Sequence, residues 1–152
     1  QIVSGSGDDS LKIRDAHTGK AVHTLSHDNE YDVTSVAFSP DGQRIVSGSW
    51  NDTATVWDAE LEESLLNLTG HEDDITTATF SPNGKFIATA SEDQTVKIWN
   101  AQTGDVLTTL AGQRDHFTCV AFSSDGKRIA AGSRNRLKIW SLENLQTPRH
   151  RP

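Results

Sequence analysis

His71, Thr89, Asp93 and Trp99 include the residue types of a hydrolase triad: a hydroxyl to attack, an imidazole to take its proton and a carboxylate to orient the imidazole. Such chemistry needs one constellation. The chain carries nearly the same set again as His27, Ser47, Asn51 and Trp57, with an amide in place of the carboxylate. A set that recurs fits a structural role better than a catalytic one. A buried imidazole or indole must find partners, and a satisfied network of this kind fixes the surrounding strands in one arrangement. The sequence is therefore read as having no catalytic residues. The same four types are incomplete at the two ends of the chain. Ser4 and Asp8 fit the pattern but Arg14 stands where the indole is due, while Gln113 and Ala131 replace the imidazole and the hydroxyl in the last copy. The turn at Arg134-Asn135-Arg136 is one residue short.

The elements that must position these groups follow from the interval between copies. Trp57, Trp99 and Trp140 lie 42 and 41 residues apart, and Arg14 lies 43 before Trp57. Phe38-Ser39-Pro40-Asp41-Gly42 returns as Phe80-Ser81-Pro82-Asn83-Gly84 and as Phe122-Ser123-Ser124-Asp125-Gly126. In each copy the opening apolar residues step by three and then two, as in Val33, Val36 and Phe38, or Phe117, Val120 and Phe122. An odd step cannot stay on one face of a flat strand, so a β-bulge is expected at the start of each. Gly42, Gly84 and Gly126 supply the turn that follows. Strands are then expected at 44–49, 86–91 and 128–133, and at 53–58, 95–100 and 137–141. Leu61, Leu65 and Leu68 have helical spacing with no turn glycine beside them, but the repeat register predicts an outer strand there.

A period in the low forties, with Gly70-His71 near the start of a unit and Trp57-Asp58 at the end of one, is the signature of a propeller blade. Over residues 1 to 142 the chain resembles a Trp-Asp (WD) repeat β-propeller. The resemblance implies an all-β fold, an open partial propeller of four-stranded antiparallel blades, two complete and two incomplete. The expected divisions are a partial blade at 1–26, full blades at 27–69 and 70–111, a partial blade at 112–142 and a flexible tail at 143–152. The first blade lacks its inner strand and the last its outer one, which reads as part of a longer protein.

The resemblance also implies the fate of the triad-like set. In this family the matching positions, here His71, Thr89, Asp93 and Trp99, form a structural hydrogen-bonded chain. Partners most often dock on the face that carries the loop into the inner strand and the turn holding the network acid. Those positions are Asp32 and Thr34, Asp74 and Thr76, His116 and Thr118, together with Trp50, Glu92 and Arg134. Trp50, between Ser49 and Asn51, is the sharpest candidate because exposed Trp anchors dominate binding energetics.

Composition bounds the rest. The net charge is −7, but the basic residues gather after residue 113, where Lys127, Arg128, Arg134, Arg136 and Lys138 fall. No aromatics interleave them, so nucleic acid is not expected as the main ligand. There is no apolar run long enough to cross a membrane and no Gly-Lys-Ser/Thr phosphate loop, and Cys119, three residues from His116 on an expected strand, should point to the opposite face from it and so not share a metal. Cofactors and metals are accordingly set at none. The single cysteine, Cys119, excludes an internal disulfide and is expected to be buried. The function expected is a noncatalytic protein-protein interaction scaffold that engages other proteins or peptides in the cytoplasm, with the nucleus as the second place. Blades of a parent chain, or self-association through bare blade edges, would complete it. Two other readings stand beside it: the sensor propeller of a signalling NTPase, by likeness to arrays in large microbial ATPases, and a propeller hydrolase.

Overall fold

The structure is a computed structural model and describes residues 1–26, 31–112 and 115–145. These residues form fourteen strands in four antiparallel sheets. The first sheet holds β1 (Ile2–Gly5), β2 (Ser10–Arg14) and β3 (Ala21–Ser26). The second holds β4 (Val33–Phe38), β5 (Arg44–Ser49), β6 (Ala54–Asp58) and β7 (Ser64–Leu68). The third holds β8 (Ile75–Phe80), β9 (Phe86–Ser91), β10 (Thr95–Asn100) and β11 (Val106–Ala111), and the fourth β12 (Phe117–Phe122), β13 (Arg128–Ser133) and β14 (Leu137–Ser141). Strand order follows the chain within every sheet, and the four sheets do not close on one another. Each sheet is a blade, and the two end blades have three strands each. A short 3-10 turn, Glu143–Leu145, follows β14, and Leu145 leans on the core of the last blade. The rest of the expected tail lies outside the described residues.

The register of the inner strands carries the expected bulges. Pairing shifts between Val33 and Ser35, between Ile75 and Thr77 and between Phe117 and Cys119, leaving Thr34, Thr76 and Thr118 as the extra residues. The bulge turns the Thr34 and Thr76 hydroxyls toward the next blade, whereas the Thr118 hydroxyl donates to the Gly132 carbonyl of its own blade. Thr34 Oγ1 donates to the Ile75 carbonyl at 2.6 Å, and Thr76 Oγ1 donates to the Phe117 carbonyl at 2.8 Å. The leucine-rich segment is the outer strand β7, paired to β6 through Ala54 and Leu68. Burial of Leu68 and Leu66 at the seam with the third blade outweighs the local helical spacing.

Blades stack through apolar seams. In the first, Leu11 and Ile13 pack on Val33, Ile45 and Trp57; in the second, Ala54 and Val56 on Ile75, Ile87 and Trp99; in the third, Val96 and Ile98 on Phe117 and Ile129. Close approach at a seam requires glycine. A Cβ on Gly48 would stand 2.7 Å from Ile75 Cγ2. Arg44 reinforces the second seam on its other side. Its guanidinium donates to the carbonyls of Ala101 at 2.5 Å and Gly84 at 3.2 Å, and lies 5.3 Å over the Phe80 ring.

One expectation about the core is corrected. Cys119 is exposed. It occupies the position of Ser35 and Thr77, whose hydroxyls face the following blade: Ser35 Oγ accepts from the Ala78 amide, and Thr77 Oγ1 donates to the Thr118 carbonyl. Residue type alone favours burial of a cysteine, but no blade follows the fourth in the described residues, so nothing covers the thiol.

Candidate functional site

His71 precedes the inner strand of the third blade, Thr89 lies on β9, Asp93 in the turn between β9 and β10, and Trp99 on β10. They meet in one chain of hydrogen bonds. Trp99 Nε1 donates to Thr89 Oγ1 at 2.8 Å, and that oxygen is 2.6 Å from His71 Nε2. His71 Nδ1 is 2.7 Å from Asp93 Oδ2. Since the Thr89 oxygen accepts the indole N–H, its own proton points to Nε2, which leaves the imidazole proton on Nδ1 facing Asp93. Burial holds the His71 pKa below its ordinary value, against the pull of the Asp93 hydrogen bond and charge, so the ring is neutral. Burial pushes Asp93 up. Hydrogen bonds from the Thr95 hydroxyl, His71 and the Glu72 amide outweigh it and hold the carboxyl down at about 2.

Thr95 is a member that spacing did not reveal. Its hydroxyl donates to Asp93 Oδ1 at 2.7 Å and its amide to the same atom at 2.8 Å. The second blade repeats this through Thr53 and Asn51 Oδ1, at 2.6 Å for the hydroxyl, and the first through Ser10 and Asp8 Oδ1, also at 2.6 Å. The signal was present in the sequence as a hydroxyl two residues after each network acid or amide, the pattern of an Asx turn. The residue between them, Asp9, Asp52 or Gln94, is left-handed at φ of 64°, 63° and 70°. A second such cap was also missed. Asp15, Asp58 and Asn100, each following the Arg or Trp of its unit, accept two amides of the next loop.

In the second blade Trp57 Nε1 donates to Ser47 Oγ at 2.8 Å, while His27 lies outside the described residues. The end blades depart from the pattern. Arg14 sends its guanidinium to the Gly19 carbonyl, and in the fourth blade Ala131 is buried where Thr89 would stand. There the Ser133 amide bonds to Arg136, three residues on, against four in the second blade from Ser49 to Thr53. Gln113 is outside the described residues.

The arrangement can do little chemistry. Thr89 is fully buried and its oxygen is saturated by the indole and the imidazole, so a substrate carbonyl has no approach to it. Its hydrogen bonds join the segment ahead of β8 to β9, to the turn after β9 and to β10.

The chain matches the model of the WD domain, G-beta repeat, over residues 19–58, 62–100 and 104–141. It belongs to the WD-repeat family. Among curated proteins, this WD-repeat chain is 40% identical over 73 residues to the nuclear distribution protein PAC1 of Arthroderma otae, covering 47% of this chain and 16% of that protein. It is 41% identical over 75 residues to the mouse peroxisomal targeting signal 2 receptor, covering 47% and 23%, and 39% identical over 67 residues to the ribosome biogenesis protein WDR12 homolog of Drosophila persimilis, covering 42% and 16%. The matches thus span less than a quarter of the length of these relatives. Proteins of this repeat are in general noncatalytic scaffolds.

Of the positions expected to meet partners, Asp32, Asp74 and His116 precede the inner strands, Thr34, Thr76 and Thr118 lie at their bulges, and Trp50, Glu92 and Arg134 follow β5, β9 and β13. Trp50 is 51% exposed, and its amide donates to the Asp32 carbonyl; Glu92, its counterpart in the third blade, makes the same bond to Asp74. Thr34 and Thr76 spend their hydroxyls on the seams, and Thr118 donates to Gly132 of its own blade. His116 Nδ1 bonds to the Glu92 carbonyl, and Arg134 is exposed. Folding also gathers Asp52, Asp73 and Asp74, whose carboxylate oxygens lie within 4.8 Å of one another. Burial and the charges of Asp73, Asp52 and Glu92 raise the Asp74 pKa. Exposed and half-buried carboxylates of this kind, with no buried ligand among them, do not define a metal site. Among the described residues no helix is long and apolar enough to cross a membrane.

Proposed function

We propose that this chain is a rigid, noncatalytic docking platform for other proteins, working as part of a larger WD-repeat assembly in the cytoplasm or nucleus. The observation that carries the reading is Trp50. An indole half in solvent at a strand-to-turn junction offers a large apolar face to a partner, and it stands on a loop held by the Asp32 carbonyl. Rigid aromatic anchors of this kind contribute most to protein interfaces. Asp52, Asp73, Asp74 and Glu92 near it have no Lys or Arg ion-pair partner among the described residues, which favours a partner segment bearing positive charge over an acidic one. The relatives' names describe tasks as different as nuclear distribution, peroxisomal targeting and ribosome biogenesis, so what they have in common is the platform and not the target.

Cross-linking of the protein to its partners in extract of its own cells, comparing wild type with Trp50→Ala, tests this. Binding to the cross-linked partner should weaken by about 2 kcal/mol or more, roughly 30-fold, with an unchanged melt. Intact binding with a lowered melt would make Trp50 a structural residue and remove the basis of the reading.

A further inference from the structure

The seams between blades repeat one layout at the strand ends opposite Trp50, which follows β5 where Arg44 begins it. In each seam a loop of the later blade is anchored by one amide. Ala59 donates to the Gln43 carbonyl, Ala101 to Lys85 and Leu142 to Lys127. Three residues further on stand Glu62, Gly104 and Leu145, each facing the outer strand of the earlier blade. In the first seam Glu62 Oε1 lies 2.7 Å from His23 Nδ1, and in the third Leu145 packs into the apolar core with Leu110. The second seam has neither closure. A Cβ on Gly104 would lie 3.4 Å from Leu68 Cδ2 and 3.7 Å from Leu66 Cδ2, but glycine brings no side chain to them. Leu66 pairs with Val56 as His23 pairs with Ile13, so the residue that meets Glu62 in one seam is an aliphatic in the next.

Here a cleft of about 480 Å³ opens, walled by Val56, Leu65 and Leu66 of the second blade and by Ala101 and Gln102 of the third. Both blades are four-stranded, and Leu65 is 47% exposed. Asp41 and Asp58 also line the cleft. Hydrogen bonds hold both carboxyls below the ordinary range, from the Ser39 hydroxyl to Asp41 and from the Leu61 and Glu60 amides to Asp58, so both are charged. Arg44, the basic residue of the lining, already gives its guanidinium to the Ala101 and Gly84 carbonyls. We propose that this cleft is a second docking site, which takes a leucine-sized aliphatic side chain from a partner segment carrying Lys or Arg beside it. The chain itself shows the aliphatic half of the fit, since Leu145 fills the matching place in the third seam. The carboxylates supply the other half by complementary charge. The site lies at the far end of the strands from Trp50 and is independent of it.

The probe is a fluorescein-labelled peptide with the sequence of residues 141–152, which carries Leu142 and Leu145 and, beyond them, Arg149 and Arg151. Its anisotropy is followed as the 152-residue chain is added. Binding should saturate with a Kd below about 1 mM. Alanine in place of both peptide leucines should weaken it at least about tenfold, and glutamate in place of both arginines about fivefold. On the protein, Leu65→Asp puts a charge in the wall and Gln102→Trp fills the cleft from an exposed position. Each should weaken binding about tenfold. A melt of each variant checks that it folds, and Gln102→Trp carries the test where Leu65→Asp does not fold. Trp50→Ala should leave the peptide bound as before. A peptide that does not saturate, or that binds equally without its leucines, overturns the proposal. So does equal binding to Gln102→Trp and wild type, which would put the peptide in another seam, and so does a loss with Trp50→Ala, which would put it on the opposite face.

Discussion

His71 Nδ1 and Asp93 Oδ2 meet at 2.7 Å across 22 residues of sequence, and the pair ties the loop entering the third blade to the turn at the far end of its second strand. The pair also couples the fold to pH. Burial lowers the His71 pKa below 6.5, so the unfolded chain takes up a proton first as pH falls, and that part of the stability is lost downward from about 6.5. Asp93 is ionised and hydrogen-bonded in the folded state with a pKa of about 2 against 3.8, so its contribution is complete above 3.8 and lost as pH falls toward 2. Urea midpoints at pH 7.5, 5.5 and 3 should therefore decline in that order. After discounting for solvent, the Asp93 window is worth about 1–2 kcal/mol.

The incomplete networks should leave the end blades softer than the middle two. Arg14 and Ala131 break the chain of bonds that Trp99 and Thr89 complete. Amide hydrogen exchange should be slower in β5, β6, β9 and β10 than in β1, β2, β13 and β14. Equal protection across the four blades would contradict the role given to the network.

Seam glycines should differ in what they tolerate. Gly48→Ala drives a Cβ to 2.7 Å from Ile75 Cγ2 inside a covered seam, and should cost about 1–3 kcal/mol in a denaturant melt. Gly132→Ala meets only the Sγ of exposed Cys119 at 2.8 Å, which can turn away, and should stay within about 1 kcal/mol of neutral.

Gln94 sits at φ 70° in an exposed turn where its side chain makes no contact that asks for glutamine. Gln94→Gly should raise stability by about 0.5 kcal/mol, the relieved strain exceeding the added freedom of the unfolded chain. A fall in the melting temperature would show that the side chain is used.

Much of this was legible in the sequence because the repeat reports on itself. The odd step from Val33 to Val36 announced the bulge at Thr34, and the register placed Leu65 and Leu68 on a strand against their own spacing. What escaped were features that depend on a neighbour. Glu62 takes the left-handed turn (φ 59°) that Gly19 and Gly104 take in adjoining blades, so the missing glycine was a strained substitution and not a missing turn. Cys119 is exposed because of what lies beside its blade, which residue type cannot say. Thr53 and Thr95 were hidden because a hydroxyl in a strand looks like ordinary β-propensity until the acid two residues earlier is seen to need it. The clustering of Asp52 with Asp73 and Asp74 joins two blades and has no local signature at all.

Whether the triad-like constellation holds a blade or does chemistry is tested most directly by Thr89→Val. Valine keeps the shape and removes the hydroxyl, leaving the Trp99 indole N–H and His71 Nε2 buried without their shared partner. A structural role makes the variant lose about 2–4 kcal/mol in unfolding free energy. It also predicts no change in hydrolysis of a chromogenic ester by the same samples. Unchanged stability together with a lost ester turnover would contradict it and return Thr89 to the role of nucleophile.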